Sequence, residues 1–193
     1  MFNIVIFGPP GAGKGTQSKF IIDKYKLMHL STGDILRAEI SGNTALGTEA
    51  KKLIEKGELV PDEMVIKMVK NKIDNNTDQK GFIFDGFPRT SEQAEALDGL
   101  LGEKGTSVSV MISLEVEEDE LVDRLLKRAE KEGRADDNID VIKNRIKVYN
   151  AVTSQVADYY SKKNRYRSVV GTGSMEEIFG RICSVIDEYK AVD

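Results

Sequence analysis

Lys14 stands in the run Gly8-Pro9-Pro10-Gly11-Ala12-Gly13-Lys14-Gly15-Thr16, the strongest chemical signal in the chain. Glycines at this spacing leave backbone N–H groups free to turn inward on an anion. Lys14 adds a mobile point charge that can follow a terminal phosphate. Asp85 ends a second apolar run and suits a water-mediated contact to a divalent cation; the alternative is a helix N-cap or a loop ligand. Arg124 and Arg128 stand four residues apart on a helical stretch, where like charges repel unless an anion lies between them. The alternative pairs Glu120 with Arg124 and leaves Arg128 in water. Arg145 borders the apolar side of its helix, beside Ile146, and is expected to face a cleft. The set suits holding and moving a phosphoryl group.

The elements around these residues agree. Residues 2–7 are apolar apart from Asn3 and read as a buried strand, and residues 17–26 carry Phe20 and Ile21 at helical spacing. Strand, glycine-rich loop and helix is the order a phosphate-binding loop requires, and the helix N-terminus adds its positive dipole end. The usual loop has Ser or Thr directly after the lysine as a magnesium ligand. Here Gly15 intervenes and the hydroxyl comes at Thr16. Magnesium is therefore expected to be held through water and phosphates, near Asp85 and Thr16, with no direct protein ligand.

Further strands are expected at 81–85, 107–116 and 166–170, beside a short apolar segment at 27–30. Helices are expected at 34–40, 45–56, from 61 onward, 90–103, 117–131, 139–162 and 174–189. In the helix over 139–162, Ile142, Ile146, Tyr149, Val152, Val156 and Tyr159 share one side. Ser174 with Glu177 fits a capping box. Strands alternating with helices predict an α/β fold, a parallel sheet with helices on both faces. Ligands then sit beyond the strand C-terminal ends, where residues 8–13 and Asp85 lie.

At 193 residues with 40% hydrophobic content, the chain is expected to form one domain with a sizeable core. A net charge of −4 argues against nucleic acid or an acidic membrane as partner. Cys183 is the only cysteine, so no internal disulfide and no cysteine-based structural zinc is expected. The N-terminus lacks a basic leader and a cleavage pattern, and no apolar run reaches membrane-spanning length. The expectation is a soluble, cytosolic, monomeric protein.

Phe84-Asp85-Gly86-Phe87-Pro88-Arg89-Thr90, following the glycine-rich run, resembles the adenylate kinase family. So do Thr32-Gly33-Asp34 with Arg37, Leu59-Val60-Pro61-Asp62-Glu63, and Gly133-Arg134-Ala135-Asp136-Asp137-Asn138. The resemblance covers nearly the whole chain, in family order. It implies a P-loop nucleoside monophosphate kinase fold that transfers the terminal phosphate of ATP to AMP, with Mg2+, giving two ADP. It places Gly11, Ala12, Gly13, Lys14, Gly15, Thr16, Arg124, Arg128 and Gly173 at ATP. It places Thr32, Arg37, Glu58, Leu59, Val60, Gly86, Phe87, Pro88, Arg89, Gln93, Arg134 and Arg145 at AMP. Lys14, Arg89, Arg128, Arg134 and Arg145 would carry catalysis. Residues 31–60 would form an AMP-binding insert and residues 127–137 a short lid.

Elementary chemistry supports these roles. A phosphate acceptor is already anionic, so charge neutralisation and in-line placement matter more than a general base. His29, the sole histidine, is read as a neighbour of the second strand and not a catalyst. Arg37 and Arg89 can fork onto one phosphate as lysine cannot. Gln93 has two readings, an adenine contact and the second half of a Thr90-x-x-Gln93 capping box; the resemblance favours the first. Two rivals remain. A regulatory GTPase is suggested by Asn71-Lys72-Ile73-Asp74 and Asp78-Gln79-Lys80-Gly81, but the first lies in a helical stretch and the two stand in reversed order. A UMP or CMP kinase of the same fold is nearer, although such chains tend to carry Asn where this one has Thr90 and Gln93.

Overall fold

The computed structural model describes residues 1–134 and 136–191; Ala135 of the expected lid, Val192 and Asp193 lie outside the described residues. Five strands pair in parallel: β1 (Ile4–Phe7), β2 (Met28–Ser31), β3 (Phe82–Asp85), β4 (Val110–Glu115) and β5 (Tyr166–Val170), in the order β2-β3-β1-β4-β5. Parallel neighbours need crossovers. Those are supplied by α1 (Lys14–Tyr25), α2 (Thr32–Ser41), α3 (Ala45–Ile54), α4 (Asp62–Asp74), α5 (Ser91–Gly102), α6 (Glu118–Glu132), α7 (Ile139–Val148) and α8 (Gln155–Ser161), and α9 (Met175–Lys190) closes the chain.

Alternation along β1 builds two cores, one on each face of the sheet. Val5 and Phe7 pack with Phe82, Phe84, Val69 of α4, Leu97 of α5 and Tyr160 of α8. Ile4 and Ile6 turn the other way, against Ile21 of α1 and Ile178, Ile182 and Ile186 of α9. Asn3, the polar break in the first apolar run, is wholly buried and fully used. Its amide donates to Ser107 O at 2.9 Å and Thr106 Oγ1 at 3.1 Å, and its carbonyl accepts from Phe82 N–H at 3.1 Å. It ties β1 to β3 and to the segment entering β4. Cys183 is buried on α9, as expected of a small core residue.

The helix expected over 139–162 is corrected in one respect. Between α7 and α8 lies a π turn, Tyr149–Thr153, in which Ser154 N–H donates to Tyr149 O at 2.8 Å. The wider turn inserts one residue and advances the face by about 100°. Ile142, Ile146 and Val156 are buried as predicted, but Val152 is 40% exposed while Thr153 and Tyr160 are buried. Ser174 and Glu177 form the full capping box.

Register brings the chemistry to one edge. Ile6 and Ser31 both stand opposite Asp85, so β1, β2 and β3 end together. Gly8 has no room for a side chain, since a Cβ there would come 2.7 Å from Leu114 O, and Gly13 caps α1 at φ 93°.

Candidate active site

Helix α1 begins at Lys14 itself, so the lysine stem rises from the first turn and bends back over the loop. Its Nζ donates to Gly8 O at 2.7 Å and Pro9 O at 2.9 Å. Burial lowers its pKa from 10.5 to about 7; Asp85 pulls it up, while Arg89, Arg145 and Arg128 push it down. Such a cation, surrounded by three others, has a site shaped for anions. Ala12 is buried with its methyl in the core, so only its backbone can meet a ligand. Gly11 and Gly13 are half-buried, and Gly15 and Thr16 are exposed.

Beside the loop lie two adjoining clefts open to solvent, one somewhat larger than the other. Thr32, Arg37, Glu58, Leu59, Val60, Gly86, Arg89, Gln93 and Arg145 line the larger. Lys14, Phe87 and Pro88 line the smaller, and Leu59, Gly86, Arg89 and Arg145 line both. A single path therefore runs from Gln93 past two arginines to Lys14. Arg89 Nε donates to Gly86 O at 2.8 Å, and Thr32 Oγ1 donates to the same carbonyl at 2.9 Å. Burial lowers the Arg89 guanidinium to about 10, with Arg145 and Arg37 adding to the fall and Asp85 opposing it. Arg37 pairs with Asp34 one turn away on α2. Gln93 is engaged at both ends: its carbonyl accepts from Arg89 N–H at 2.8 Å and its amide donates to Asp62 Oδ1 at 2.7 Å. Thr90 caps α5 by accepting from Gln93 N–H.

The remaining arginines sit on α6, α7 and the segment between them. Arg124 takes Glu120 as partner, as the plainer sequence reading has it, and also donates to Gly171 O at 2.9 Å. Arg128 is not left to water: it forks onto Asp137, with Nε and Nη2 each 2.6 Å from a carboxylate oxygen. Arg145 reaches Asp137 at 2.8 Å and Asp136 at 2.9 Å. Burial holds Arg145 below its ordinary pKa in spite of both carboxylates. Among the described residues Arg134 donates to Glu132 at 2.6 Å, and it lines neither of the two clefts. Gly173, at φ 110°, stands before α9, where a Cβ would meet Glu177 Oε2 at 2.6 Å.

The sequence model of the family described as Adenylate kinase matches residues 6–165. A protein named adenylate kinase from Parabacteroides distasonis is 53% identical over 190 residues, 98% of this chain and all of its own length. Another so named, from Bacteroides thetaiotaomicron, is 53% identical over 188 residues, 97% of this chain and all of its own. A third, from Porphyromonas gingivalis, is 45% identical over 192 residues, covering 100% of this chain and 99% of its own. The chain belongs to the adenylate kinase family. It is a phosphotransferase acting on a nucleoside monophosphate.

Membership disposes of the GTPase rival, and the fold says why its motifs mislead. Asn71, Lys72, Ile73 and Asp74 lie inside α4, and Asp78 to Gly81 form the turn before β3. Adenylate kinases use ATP with Mg2+, and the residues here fit that ion in a particular way. Among the described residues no group of three or more His, Cys, Asp or Glu could hold a metal. Asp85 is one carboxylate facing the first turn of α1, within 3.7 Å of where a Gly15 Cβ would stand. A lone carboxylate there suits contact through water with an ion that keeps its water and phosphate oxygens. Among the described residues no helix is long and apolar enough to cross a membrane.

Asp62 escapes the sequence reading, which sees only the start of a helix. It is 31 residues from Gln93, and no periodicity joins them. A signal existed in Thr90-x-x-Gln93, a capping pattern whose glutamine needs a partner when buried.

Proposed function

We propose that the chain transfers the terminal phosphoryl group of ATP reversibly to AMP, with Mg2+, giving two ADP. The observation that carries this reading is the path between Gln93 and Lys14, lined by both Arg89 and Arg145. AMP would lie in the larger cleft, its base against Gln93 and its phosphate between Arg37 and Arg89. Leu59, Val60 and the Glu58 backbone would wall the base, with Thr32, Gly86, Phe87 and Pro88 shaping the passage. ATP would lay its phosphates on residues 11–16, with Arg124 and Gly173 beside its base. Lys14, Arg128, Arg134 and Arg145 would then neutralise the charge that develops between donor and acceptor oxygens. Electrostatic preorganisation of this kind is the main demand of phosphoryl transfer. Magnesium would supply charge neutralisation to the donor phosphates; Asp85 would orient its water, with Thr16 nearby. Residues 31–60 act as the acceptor-binding insert and residues 127–137 as the lid. The protein works as a cytoplasmic monomer on free ATP, AMP and ADP, a reading in keeping with its net charge of −4 and buried lone cysteine.

A coupled ADP-formation assay with ATP, Mg2+ and each of AMP, GMP, UMP and CMP tests the assignment. AMP is expected to give the highest kcat/KM. CMP is the sharpest comparison, because cytosine offers the same donor and acceptor order as adenine on a smaller ring. Preferred turnover of CMP or UMP would replace AMP by a pyrimidine acceptor.

A further inference from the structure

We propose that Asp62 is a specificity-determining positioning residue, which locks the Gln93 amide in the one orientation that reads a 6-amino base and refuses a 6-keto base. The inference rests on the proposed placement of the acceptor base against Gln93.

Asp62 is the first residue of α4, and both of its carboxylate oxygens are spent inside the protein. Oδ1 accepts from Gln93 Nε2 at 2.7 Å, and Oδ2 accepts from the Thr90 hydroxyl at 2.9 Å. The Thr90 oxygen accepts in turn from Gln93 N–H at 3.1 Å. On the far side of the amide, Arg89 N–H donates to Gln93 Oε1 at 2.8 Å. A carboxylate only accepts and a backbone N–H only donates. Turning the amide by half a rotation would set oxygen against oxygen at Asp62 and N–H against N–H at Arg89. Gln93 is 1% exposed, so water cannot make up the loss.

A fixed amide has a fixed message. After Asp62 and Arg89 are served, Gln93 keeps one N–H and one carbonyl lone pair, and it lines the larger cleft. These can meet a ring nitrogen acceptor and an amino donor side by side, the order adenine shows at N1 and N6. Hypoxanthine, guanine and uracil show the reverse order, a keto acceptor beside a ring N–H. An amide free to turn would serve either class. Arg89 N–H alone is one restraint; the Asp62 carboxylate is the second, and it is the charged one.

Asp62 has a plainer role too, as an acidic residue in the first turn of a helix, and the test must separate them. IMP differs from AMP at the 6-position and its neighbouring ring nitrogen, so the ratio of kcat/KM for AMP over IMP reads the amide orientation. Asp62→Asn is expected to lower that ratio by roughly tenfold while the KM for ATP moves by less than about twofold. In a Gln93→Leu background the same substitution should leave the ratio where Gln93→Leu put it. Asp62→Ser, which keeps a helix-compatible residue without the carboxylate, should repeat the result if Asp62→Asn does not fold. Equal losses for AMP and IMP, or the same change of ratio with and without Gln93, would overturn the proposal in favour of a helix-stabilising role. If Gln93→Leu alone leaves the ratio intact, the base does not lie against Gln93, and the placement of AMP falls first. If Gln93→Leu collapses the ratio and Asp62→Asn does not, the placement stands and the lock alone is wrong.

Discussion

Arg128 lays its guanidinium against the carboxylate of Asp137 in a fork, with both contacts at 2.6 Å and the Asp137 side chain wholly out of solvent. The same carboxylate also accepts from Arg145. Removing a partner from a fully buried pair costs about 3–5 kcal/mol. Here the arginine side chains keep 26% and 19% of their exposure, which screens the interaction. Asp137→Asn is therefore expected to destabilise the fold by about 1–3 kcal/mol, read as a lower urea midpoint. Coincident unfolding curves would mean that the two arginines are held as well without the carboxylate.

Lys14→Met is expected to abolish transfer and keep the fold. No other side chain of residues 8–16 is cationic, and Lys14 lines the cleft that reaches Arg89 and Arg145. Transition-state charge stabilisation of this kind is commonly worth about 3 kcal/mol or more, two or more decades in rate. A purified variant with an unchanged circular dichroism spectrum and near-parental turnover would remove Lys14 from the chemistry.

Lys14 also sets a pH dependence. In the free protein its pKa lies at about 7 instead of 10.5, through burial and the arginines around it. Nucleotide phosphates bring opposite charge and raise it again. Above about pH 7, nucleotide binding should take up a proton at Lys14, so affinity should fall as pH rises. Calorimetric binding enthalpies in buffers of different ionisation enthalpy should show that uptake, and Lys14→Met should lose it. Folding has the opposite trend. The unfolded chain keeps the Lys14 proton up to 10.5 and the fold releases it near 7, so stability from this group rises with pH across that window.

The glycine-rich run and the apolar strands were legible because each is a local pattern: a period of two, a period of 3.6, or glycines where backbone must approach an anion. Residues that meet across the fold were legible only in type. Arg124 with Glu120 is a neighbour on one helix turn and could be read directly. The partner of Arg128 is Asp137, across the end of α6, and spacing does not reveal a fork between them. The π turn at Tyr149 hides for a related reason: one inserted residue leaves the composition helical and shifts only the phase, so the pattern puts Val152 on the apolar side although it is exposed and Thr153 is buried. Of the capping box read at Gln93 only one half forms: Thr90 accepts its backbone N–H, while its side chain takes Arg89 N–H and Asp62 and lines the cleft.

The last prediction concerns residues 127–138. Adenylate kinases are a standard instance of lids that gate turnover, so the question for this chain is what would draw the proposed lid segment closed. Only a few residues separate Arg128 from Arg134, too few for a separate zinc-bearing or sheet-containing subdomain, and Gly133 ends α6 in the left-handed region at φ 62°. Asp136 and Asp137 already occupy Arg145, and Asp137 occupies Arg128. These carboxylates neutralise cations that would otherwise repel one another and Lys14. Nucleotide phosphates offer those cations stronger, multiply charged partners, whereas adenosine offers none. Amide hydrogen exchange across 127–138 should therefore slow with a bisubstrate dinucleotide and change little with adenosine. Asp137→Asn should enlarge the contrast, because Arg128 then loses its forked partner and Arg145 keeps only Asp136. Equal protection by adenosine, or none by the dinucleotide, would show that phosphate charge does not drive closure of this segment.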